Sequence, residues 1–500
     1  MNLSSFNLTS LLIFLVPSLI CLILKQIKFT FLKNQNLPPS PFQWPLIGNI
    51  PNFVTGKKPH VIVTKIAQNL GPLISLKLGK QLVVIGSSPE SAIEILKTHD
   101  KKLSARYAPK ATPIKECDLK RYSLLWSTEC NSHWKSIRVL WRTQLFSNKA
   151  MELFANKREK GVLDMVDLLV FKHGKVVKIG NLVFSVVFNV LGNICFSRDM
   201  VKLDDERGSS DMKGNIWKFM ECGTTPILAD FFPIFDGIDI QGQKKKAKKC
   251  LDNLFKVWEG IIKKRREEQH CNESDVKKHG DFLDLMLANG FSDDQINYML
   301  LEIFPAGTGT LTSTIEWAMA ELLRNKEVLN KLYSGLKKVI NSNPIQESTI
   351  FQLPYLNACI KEVLRLHPPI AFLPHYASET CQVMHYTIPK DSLVFVNLWA
   401  IGHDPKIWDD PFSFKPERFL NSNLDFKGQD FEFLPFGAGR RMCPGLPFAT
   451  KQVHLILACL VYHFEWSLPN DGDPLMLDMN EKYAVPLQRE KPLLLVPTRR

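Results

Sequence analysis

Helical periodicity dominates the pattern of apolar and polar positions between about residues 130 and 340. Ser292 with Gln295 matches a capping box, so we predict a helix from there to about Asn325. Pro305 lies inside this helix, where proline costs about 3 kcal/mol and each nearby glycine about 1 kcal/mol relative to alanine. The stretch FPAGTGTLTSTIEW, residues 304–317, therefore predicts a distortion in the middle of a long helix.

Strand patterns are few and short. The stretch LISLKLGKQLVVIG alternates apolar and polar residues and turns at Gly79-Lys80, which predicts a β-hairpin. Ser88 followed by Pro89 predicts a helix start. Beyond Pro368 the chain is irregular and rich in proline, and helical periodicity returns after Cys443. We predict a mostly α protein with a small β portion.

The first residues predict a membrane anchor. Phe6 to Leu24 carries no charge, and about 19 residues at about 1.5 Å each can cross a hydrocarbon core. Lysines follow at once, which favours a cytosolic location for the remainder. We expect an anchor at 1–28, a basic and proline-rich hinge at 29–50 that acts as a stiff spacer, and one large body at 51–500.

Charge and cysteine content narrow the protein class. The net charge of the 500 residues is +13, with basic runs at Lys244 to Lys249 and Lys263 to Glu268. These runs are either solvated helix ends or a basic face for an acidic partner or an anionic membrane. They lack stacking aromatics, so we expect no nucleic acid partner. The 11 cysteines are scattered without CxxC pairs, which indicates a reducing compartment.

One cysteine lies in a glycine-rich loop, FLPFGAGRRMCPG, residues 433–445. Gly437, Gly439 and Gly445 permit tight turns that can aim backbone N–H groups at the sulfur of Cys443. The helix predicted after the loop would add a positive dipole end. The alternative is a buried free cysteine beside a turn.

The loop resembles that of a cytochrome P-450. The family pattern F-x-x-G-x-R-x-C-x-G is matched by Phe436, Gly439, Arg441, Cys443 and Gly445. The resemblance extends over essentially the whole chain, although Ser40 stands where the hinge usually has glycine. It implies a cytochrome P-450 fold with an N-terminal transmembrane anchor helix, in which Cys443 ligates the iron of haem b.

Further matches imply two other groups of residues. KEVLRLHPP and FKPERF supply a buried ion network beneath the haem, formed by Glu362, Arg365 and Arg418. HWKSIRVLW supplies residues that would bind the haem propionates, as would a basic residue in AFLPHYA and one in the cysteine loop. These predicted propionate ligands are Trp134, Arg138, His375 and Arg441.

The long helix resembles the family's oxygen-side helix at Ala306, Gly307, Gly309 and Thr310. Its predicted distortion would make room for dioxygen and a water. Gly309 departs from the family pattern, which usually has a carboxylate there that assists proton delivery. We expect slower or less coupled oxygen activation and a pocket enlarged by the missing side chain. Thr310 remains to donate a hydrogen bond.

The resemblance also implies partners and a pocket. Electrons would come from NADPH through a membrane-bound cytochrome reductase, and the chain would be a monomer on the endoplasmic reticulum, with its catalytic domain in the cytosol. Glu302 either pairs with a substrate ammonium or is a satisfied structural carboxylate. The residues expected to line the substrate pocket are Glu302, Phe304, Ile370, Phe372, Ala484 and Val485.

The substrate expectation comes from the resemblance alone. The chain is most similar to plant enzymes of alkaloid metabolism, and most of all to the branch that oxidises and rearranges littorine to hyoscyamine aldehyde in tropane alkaloid biosynthesis. The alternatives are a benzylisoquinoline hydroxylase or phenol-coupling enzyme and a monoterpenoid hydroxylase. Two other classes stay open: an oxygen-independent haem-thiolate isomerase and a non-catalytic haem sensor.

Overall fold

The computed structural model describes residues 36–500, except 55, 57, 205–209, 272–279, 341–344 and 351–352. The predicted anchor at 1–28 and the first part of the hinge therefore lie outside the described residues.

Helices make up most of the described chain, as the sequence predicts. The α-helices cover Pro59–Leu70, Pro89–Ile93, Asp100–Leu103, Glu116–Tyr122, Ser132–Gln144, Asn148–Leu153, Ala155–Phe171, Ile179–Phe196, Ser210–Thr224, Leu228–Phe231, Gln243–Cys271, Phe282–Ala288, Asp293–Arg324, Lys326–Val339, Glu347–Ile350, Pro354–Leu366, Leu398–Gly402 and Leu446–His463. Shorter 3₁₀ turns include Pro416–Phe419 and Gly439–Arg441.

The helix Asp293–Arg324, called here the central helix, forms the middle of the fold. Its predicted capping box is confirmed, because Ser292 and Gln295 exchange side-chain and backbone hydrogen bonds. The helix continues without a break through Pro305, so the predicted distortion does not appear as an interruption. Most of its residues are buried against the helices Ile179–Phe196 and Leu446–His463.

The described strands form one four-stranded sheet and three smaller ones. The four-stranded sheet has the order β1 (Leu73–Leu78), β2 (Gln81–Gly86), β7 (Leu393–Asn397), β4 (Phe372–Tyr376). Strands β2 and β7 are parallel, and the other neighbours are antiparallel. The predicted hairpin is confirmed as β1 and β2, in which Leu78 pairs with Gln81 across the Gly79-Lys80 turn. The strands are β1 Leu73–Leu78, β2 Gln81–Gly86, β3 Val177–Lys178, β4 Phe372–Tyr376, β5 Cys381–Val383, β6 Tyr386–Ile388, β7 Leu393–Asn397, β8 Phe464–Ser467, β9 Glu481–Lys482, β10 Gln488–Arg489 and β11 Leu494–Arg499.

The described part of the hinge is attached to the body. The Thr387 N–H donates to the Asn36 carbonyl at 2.6 Å, and the Ser75 N–H donates to the Pro39 carbonyl at 2.9 Å. Pro38 is buried. Asn36 and Pro39 therefore join the first described residues of the hinge to the body of the protein.

Among the described helices, Ile179–Phe196 is long and apolar enough to cross a membrane. Of its residues, 83% are buried inside the protein, and it packs on the central helix, so it is a core helix here. The described cysteines are all free, in keeping with a reducing compartment. Lys244 and Lys245 are exposed at the start of Gln243–Cys271, whereas Arg265 is buried with Asp281, so only part of the basic runs is solvated surface.

Candidate active site

The cysteine loop is held by two tight turns. Gly437 and Gly439 have φ values of +69° and +66°, in the left-handed region that favours glycine. A Cβ at Gly439 would lie 2.4 Å from the Leu96 carbonyl oxygen, so a larger residue would push the loop away from its neighbour. The Cys443 N–H donates to the Phe436 carbonyl at 2.9 Å and closes the loop. The helix Leu446–His463 begins three residues after Cys443.

The side chain of Cys443 keeps accessible surface. The surrounding protein nevertheless raises the pKa of the thiol, because burial disfavours the charged thiolate. Hydrogen bonds from the backbone N–H groups of Gly445 and Leu446, with the charge of Arg138, act in the opposite direction and favour the thiolate. The loop thus aims N–H groups at the sulfur, as the glycine pattern predicts, and leaves the sulfur open on one side.

The central helix is also open on one face. Ala306 is exposed and Thr310 is partly exposed, although Thr308 between them is buried. Residues 306 and 310 are four apart and share a helix face. The Thr310 hydroxyl donates to the Ala306 carbonyl at 2.7 Å, so its proton is engaged and its oxygen remains an acceptor toward the open space. The expected hydrogen bond from Thr310 at the oxygen site stays a prediction.

The neighbouring glycines face protein. A Cβ at Gly307 would lie 3.0 Å from Leu191 Cδ1. A Cβ at Gly309 would lie 3.2 Å from Pro486 Cδ and 3.4 Å from Met220 Cε. A side chain at 309 would therefore meet Met220 and Pro486 at its first carbon, and the expected enlargement of the pocket stays a prediction.

A single loop residue connects the central helix with the cysteine loop. The Leu124 N–H donates to Glu302 Oε2 at 3.0 Å, and Glu302 lies one helical turn before Ala306. The Leu124 carbonyl accepts from Arg441 Nη1 at 2.8 Å, and Arg441 lies two residues before Cys443. The part of the central helix before Ala306 and the loop that carries Cys443 are thereby tied to the same residue.

A cluster of cationic groups borders this loop. Arg441 lies close enough to Arg106 and to Arg138 for their charges to interact. Burial, with the charges of Arg106 and Arg441, holds the pKa of His375 well below its ordinary value. Arg106 is 7% exposed, and its Nε and Nη1 have no hydrogen-bond partner within the described part of the chain. Burial, with the charge of Arg441, lowers the pKa of Arg106 to about 9. Unpaired buried donors beside like charges are suited to binding an anion.

Sequence reasoning missed Arg106, because it belongs to no motif and the signal for it is its burial without a partner among the described residues. The predicted propionate ligands are more engaged than expected. Trp134 donates its indole N–H to the Leu124 carbonyl at 2.9 Å, and His375 Nδ1 lies 2.9 Å from the Leu103 carbonyl. Arg441 donates hydrogen bonds to the carbonyls of Ser104, Leu124 and Ser127. Arg138 donates to the Met442 carbonyl. Trp134 and Arg441 therefore fix the loop. Arg106 has two buried N–H donors without a partner among the described residues, and Arg138 uses one of its nitrogens on the Met442 carbonyl.

The predicted ion network is confirmed. Arg365 Nε and Nη2 each lie 2.8 Å from one oxygen of Glu362, and Arg418 Nε lies 3.0 Å from Glu362 Oε1. Glu362 and Arg365 are buried. Arg365 also donates to the carbonyls of Gly402 and Pro411, so the network joins the helix Pro354–Leu366 to the chain leading toward the cysteine loop.

Three predicted pocket residues face elsewhere. Both oxygens of the Glu302 carboxylate accept hydrogen bonds from the 123–125 loop, which makes it the satisfied structural carboxylate of the two interpretations. Phe304 is fully buried against Phe188 and Trp258, and Phe372 packs on Phe395 in the sheet. Glu302 and Phe304 are two residues apart and point to different sides of the central helix, where each meets another element of the protein. Ile370, Ala484 and Val485 are partly exposed.

Comparison with known proteins gives the family. The family model described as cytochrome P450 matches residues 38–496. The chain belongs to the cytochrome P450 family. It is 46% identical over 468 residues to (S)-N-methylcoclaurine 3'-hydroxylase isozyme 1 of Papaver somniferum, which covers 93% of this chain and 96% of the relative.

Two further relatives of this cytochrome P450 have similar coverage. Corytuberine synthase of Coptis japonica is 43% identical over 486 residues, covering 97% of this chain and 98% of the relative. Berbamunine synthase of Berberis stolonifera is 40% identical over 470 residues, covering 93% and 94%.

The protein is a cytochrome P450 monooxygenase, and its cofactor is haem b with a cysteine thiolate ligand, supplied with electrons from NADPH through a reductase. The site fits this group. Cys443 offers an open sulfur supported by N–H groups, and Arg106 offers unpaired donors for a propionate. The haem, when bound, supplies the activation of dioxygen.

Proposed function

We propose that this cytochrome P450 oxidises an alkaloid of the benzylisoquinoline class, with hydroxylation of an aromatic ring as its main reaction. The observation that carries the proposal is the similarity, across nearly the whole chain, to an enzyme named for 3'-hydroxylation of (S)-N-methylcoclaurine. The relatives named corytuberine synthase and berbamunine synthase support the same class of substrate. Fold alone would not support a substrate, because one fold serves many reactions.

The site is compatible with an apolar, aromatic substrate. The open part of the central helix presents the methyl group of Ala306, and Ile370, Ala484 and Val485 are aliphatic side chains with surface still exposed. Small-molecule pockets are mostly apolar with a few placed polar groups. Here Thr310 is the polar group on the open helix face, since the Glu302 carboxylate is taken up by the 123–125 loop.

The chain's own residues divide the work. Cys443 would hold the iron, and Arg106 with the neighbouring cations would hold the propionates. Thr310 would accept a hydrogen bond from a water or a substrate hydroxyl beside the reacting atoms. The buried network of Glu362, Arg365 and Arg418 would keep the segment behind the cysteine loop in place. We also infer a monomer anchored by residues 1–28 in the endoplasmic reticulum membrane, with its body in the cytosol.

Littorine rearrangement, the main expectation from the sequence, receives less support. None of the three relatives named above is called a mutase, and no contact among the described residues favours rearrangement over oxygen insertion. The same holds for a monoterpenoid substrate. Both enter the test as competing substrates.

The test uses microsomes that contain the full chain and a plant reductase. With (S)-N-methylcoclaurine, NADPH and air, we expect a product one oxygen atom heavier than the substrate. Cys443→Ser in the same microsomes controls for background and should form none. Conversion of littorine but not of N-methylcoclaurine would overturn the substrate proposal. Turnover without NADPH would indicate an isomerase, and failure with every substrate would favour a sensor.

A further inference from the structure

A buried chain of four ionisable groups lies apart from the cysteine loop. His60 Nε2 lies 2.9 Å from Glu481 Oε2, and His367 Nε2 lies 2.7 Å from Glu321 Oε1. His367 Nδ1 lies 3.8 Å from Glu481 Oε1, an ion-pair contact that is too long for a hydrogen bond. Both ring nitrogens of His367 therefore face a carboxylate, an arrangement that suits the imidazolium form.

The surroundings of His367 also favour a positive charge. The indole of Trp317 stacks on its ring, with centroids 3.9 Å apart and planes 4° apart. Burial opposes the charge, but the hydrogen bond to Glu321 and the charge of Glu481 outweigh it and raise the pKa of His367. The pKa of Glu481 is lowered, because His367 and His60 outweigh its burial.

Other charged groups around the chain do not replace His367. His403 stands near both His367 and Glu481, but burial lowers its pKa to about 3, so it is neutral. Arg489 is a second cation whose charge reaches Glu321, but its guanidinium lies over the Trp317 indole, 5.0 Å from the ring centroid, and its Nη2 donates to the Asp478 carbonyl. Asn325 Nδ2 donates to Glu321 Oε2 at 3.3 Å and is uncharged.

His367 and Glu481 begin two segments that reach the proposed pocket. Ile370 lies three residues after His367, and Ala484 lies three residues after Glu481. Further contacts hold the segments 367–372 and 481–487 together: the Leu487 N–H donates to the Pro369 carbonyl at 2.7 Å, and Phe372 meets Tyr483 edge to face at 6.4 Å. The second segment continues to Pro486, which packs beside Gly309 on the central helix.

We propose that His367 is a positioning residue, which as an imidazolium between Glu321 and Glu481 holds the segments 367–372 and 481–487 against the central helix and so sets the affinity for substrate. Without the positive charge, two carboxylates remain in a buried site with one fewer cation between them. Their repulsion loosens the 481–487 turn first, because β9 is only two residues long. Nothing in this role touches the reacting atoms.

The direction of the pH dependence follows from the raised pKa. A histidine whose folded pKa exceeds its unfolded value contributes stability that is present below the unfolded pKa of about 6.5 and is lost as pH rises through the folded pKa. We therefore expect the wild-type protein to lose apparent thermal stability and substrate affinity on the alkaline side. His367→Gln keeps a donor toward Glu321 but carries no charge, so it should lack this alkaline loss.

The experiment compares the full-length haem-loaded protein with His367→Gln from about pH 7 to about pH 9.5, a range chosen around the ordinary histidine pKa. Two quantities are measured: the apparent melting temperature without substrate, and the dissociation constant of N-methylcoclaurine from the change in the haem absorption band. At about pH 7 we expect about fivefold weaker binding in the variant and a lower melting temperature, with both gaps closing at alkaline pH. Turnover at saturating substrate should change less than affinity.

His403→Gln is the matched control, because it removes a neighbouring buried histidine that is neutral throughout this range. Its gap to the wild type should stay constant with pH. If His367→Gln does not fold, Glu321→Gln tests the same role: by removing one of the two carboxylates it should move the alkaline loss to lower pH. A gap for His367→Gln that is the same at every pH, or an unmoved alkaline loss in Glu321→Gln, would overturn the proposal.

This role of His367 rests on the proposed function only for the substrate used as a probe. The melting temperatures need no substrate. An absence of N-methylcoclaurine binding in the wild type would count against the proposed function, while the pH dependence of stability would still decide the role of His367.

Discussion

Glu302 and Arg441 both hydrogen-bond to the backbone of Leu124. The carboxylate of Glu302 accepts the Leu124 N–H at 3.0 Å, and the guanidinium of Arg441 donates to the Leu124 carbonyl at 2.8 Å. Glu302 belongs to the central helix and Arg441 to the cysteine loop. The two residues thus fix the loop that closes the side of the proposed haem cavity, and the charge on either one affects the other.

Glu302→Gln should change the pH dependence of stability. Burial is the main cause that raises the pKa of Glu302 to about 7, so the folded protein resists its ionisation. When the pKa of a carboxylic acid is higher in the folded than in the unfolded state, the folded state loses stability as the pH rises from the unfolded-state pKa to the folded-state pKa. Between about pH 4.5 and about pH 7 the wild type should lose up to about 3 kcal/mol relative to the glutamine variant.

Apparent unfolding midpoints across this range check the Glu302 prediction. The exposed residue Glu379, changed to Gln, is the control for the substitution itself. Parallel profiles for the wild type and Glu302→Gln would contradict it.

Arg365→Leu should be severely destabilising. Arg365 is almost completely buried and makes two hydrogen bonds of 2.8 Å to Glu362. Its removal leaves a buried carboxylate that keeps Arg418 and the Lys415 N–H as partners. Breaking a buried pair in this way costs about 3–5 kcal/mol. The control is Lys331→Ala, since the Lys331–Glu417 pair is half exposed on both sides and such pairs contribute about 1 kcal/mol or less. Melting temperatures of the two variants that fall by the same amount would show that burial does not govern the network.

The parts of the fold that the sequence predicts correctly depend on local signals. The capping box at Ser292, the hairpin turn at Gly79 and the cysteine loop are each read from residues a few positions apart. The same holds for Glu362 and Arg365, three apart on one helix. In these cases the local backbone preference and the tertiary contact agree, so neighbouring residues suffice.

The remaining features depend on contacts between distant segments. Phe304 has the periodicity of a helix residue near the oxygen site, but whether it meets the cavity or Phe188 depends on how two helices cross. Gly309 has no side chain, and the space beside it is decided by Met220, about 90 residues earlier in the chain. Arg106 belongs to no motif, and its role appears only from its burial without a partner. Periodicity in the sequence identifies which face of a helix is buried, but it does not identify the element that packs against this face.

Arg106→Leu should weaken haem retention. The Nε and Nη1 of Arg106 are buried and lack partners among the described residues, so they are available to an anionic propionate. A hydrogen bond to a charged group contributes about 1.5–3 kcal/mol, which predicts haem loss at least about tenfold faster. Transfer of haem from the purified protein to an excess of apomyoglobin measures this rate.

Arg142→Leu, at an exposed arginine on the helix Ser132–Gln144, is the control for the Arg106 prediction and should lose haem at the wild-type rate. The rate of haem loss from Arg106→Lys should lie between those of the leucine variant and the wild type, because a lysine keeps the charge but cannot make bidentate hydrogen bonds. Equal rates for all four proteins would show that Arg106 does not hold the cofactor.

Gly309→Asp should restore coupling only when room is made for the new side chain. A Cβ at this position lies 3.2 Å from Pro486 Cδ and 3.4 Å from Met220 Cε, so an aspartate alone would push the 484–486 turn and weaken substrate binding. Gly309→Ala is the matched control, since it adds the Cβ without the carboxylate. We expect both single variants to raise the substrate dissociation constant by similar factors.

Met220→Ala removes the second contact, and in that background the aspartate should increase the product formed per NADPH consumed, while the alanine should not. If the aspartate and alanine variants gave the same ratio in the Met220→Ala background, the missing carboxylate at 309 would have no part in proton delivery, and Gly309 would act through packing alone.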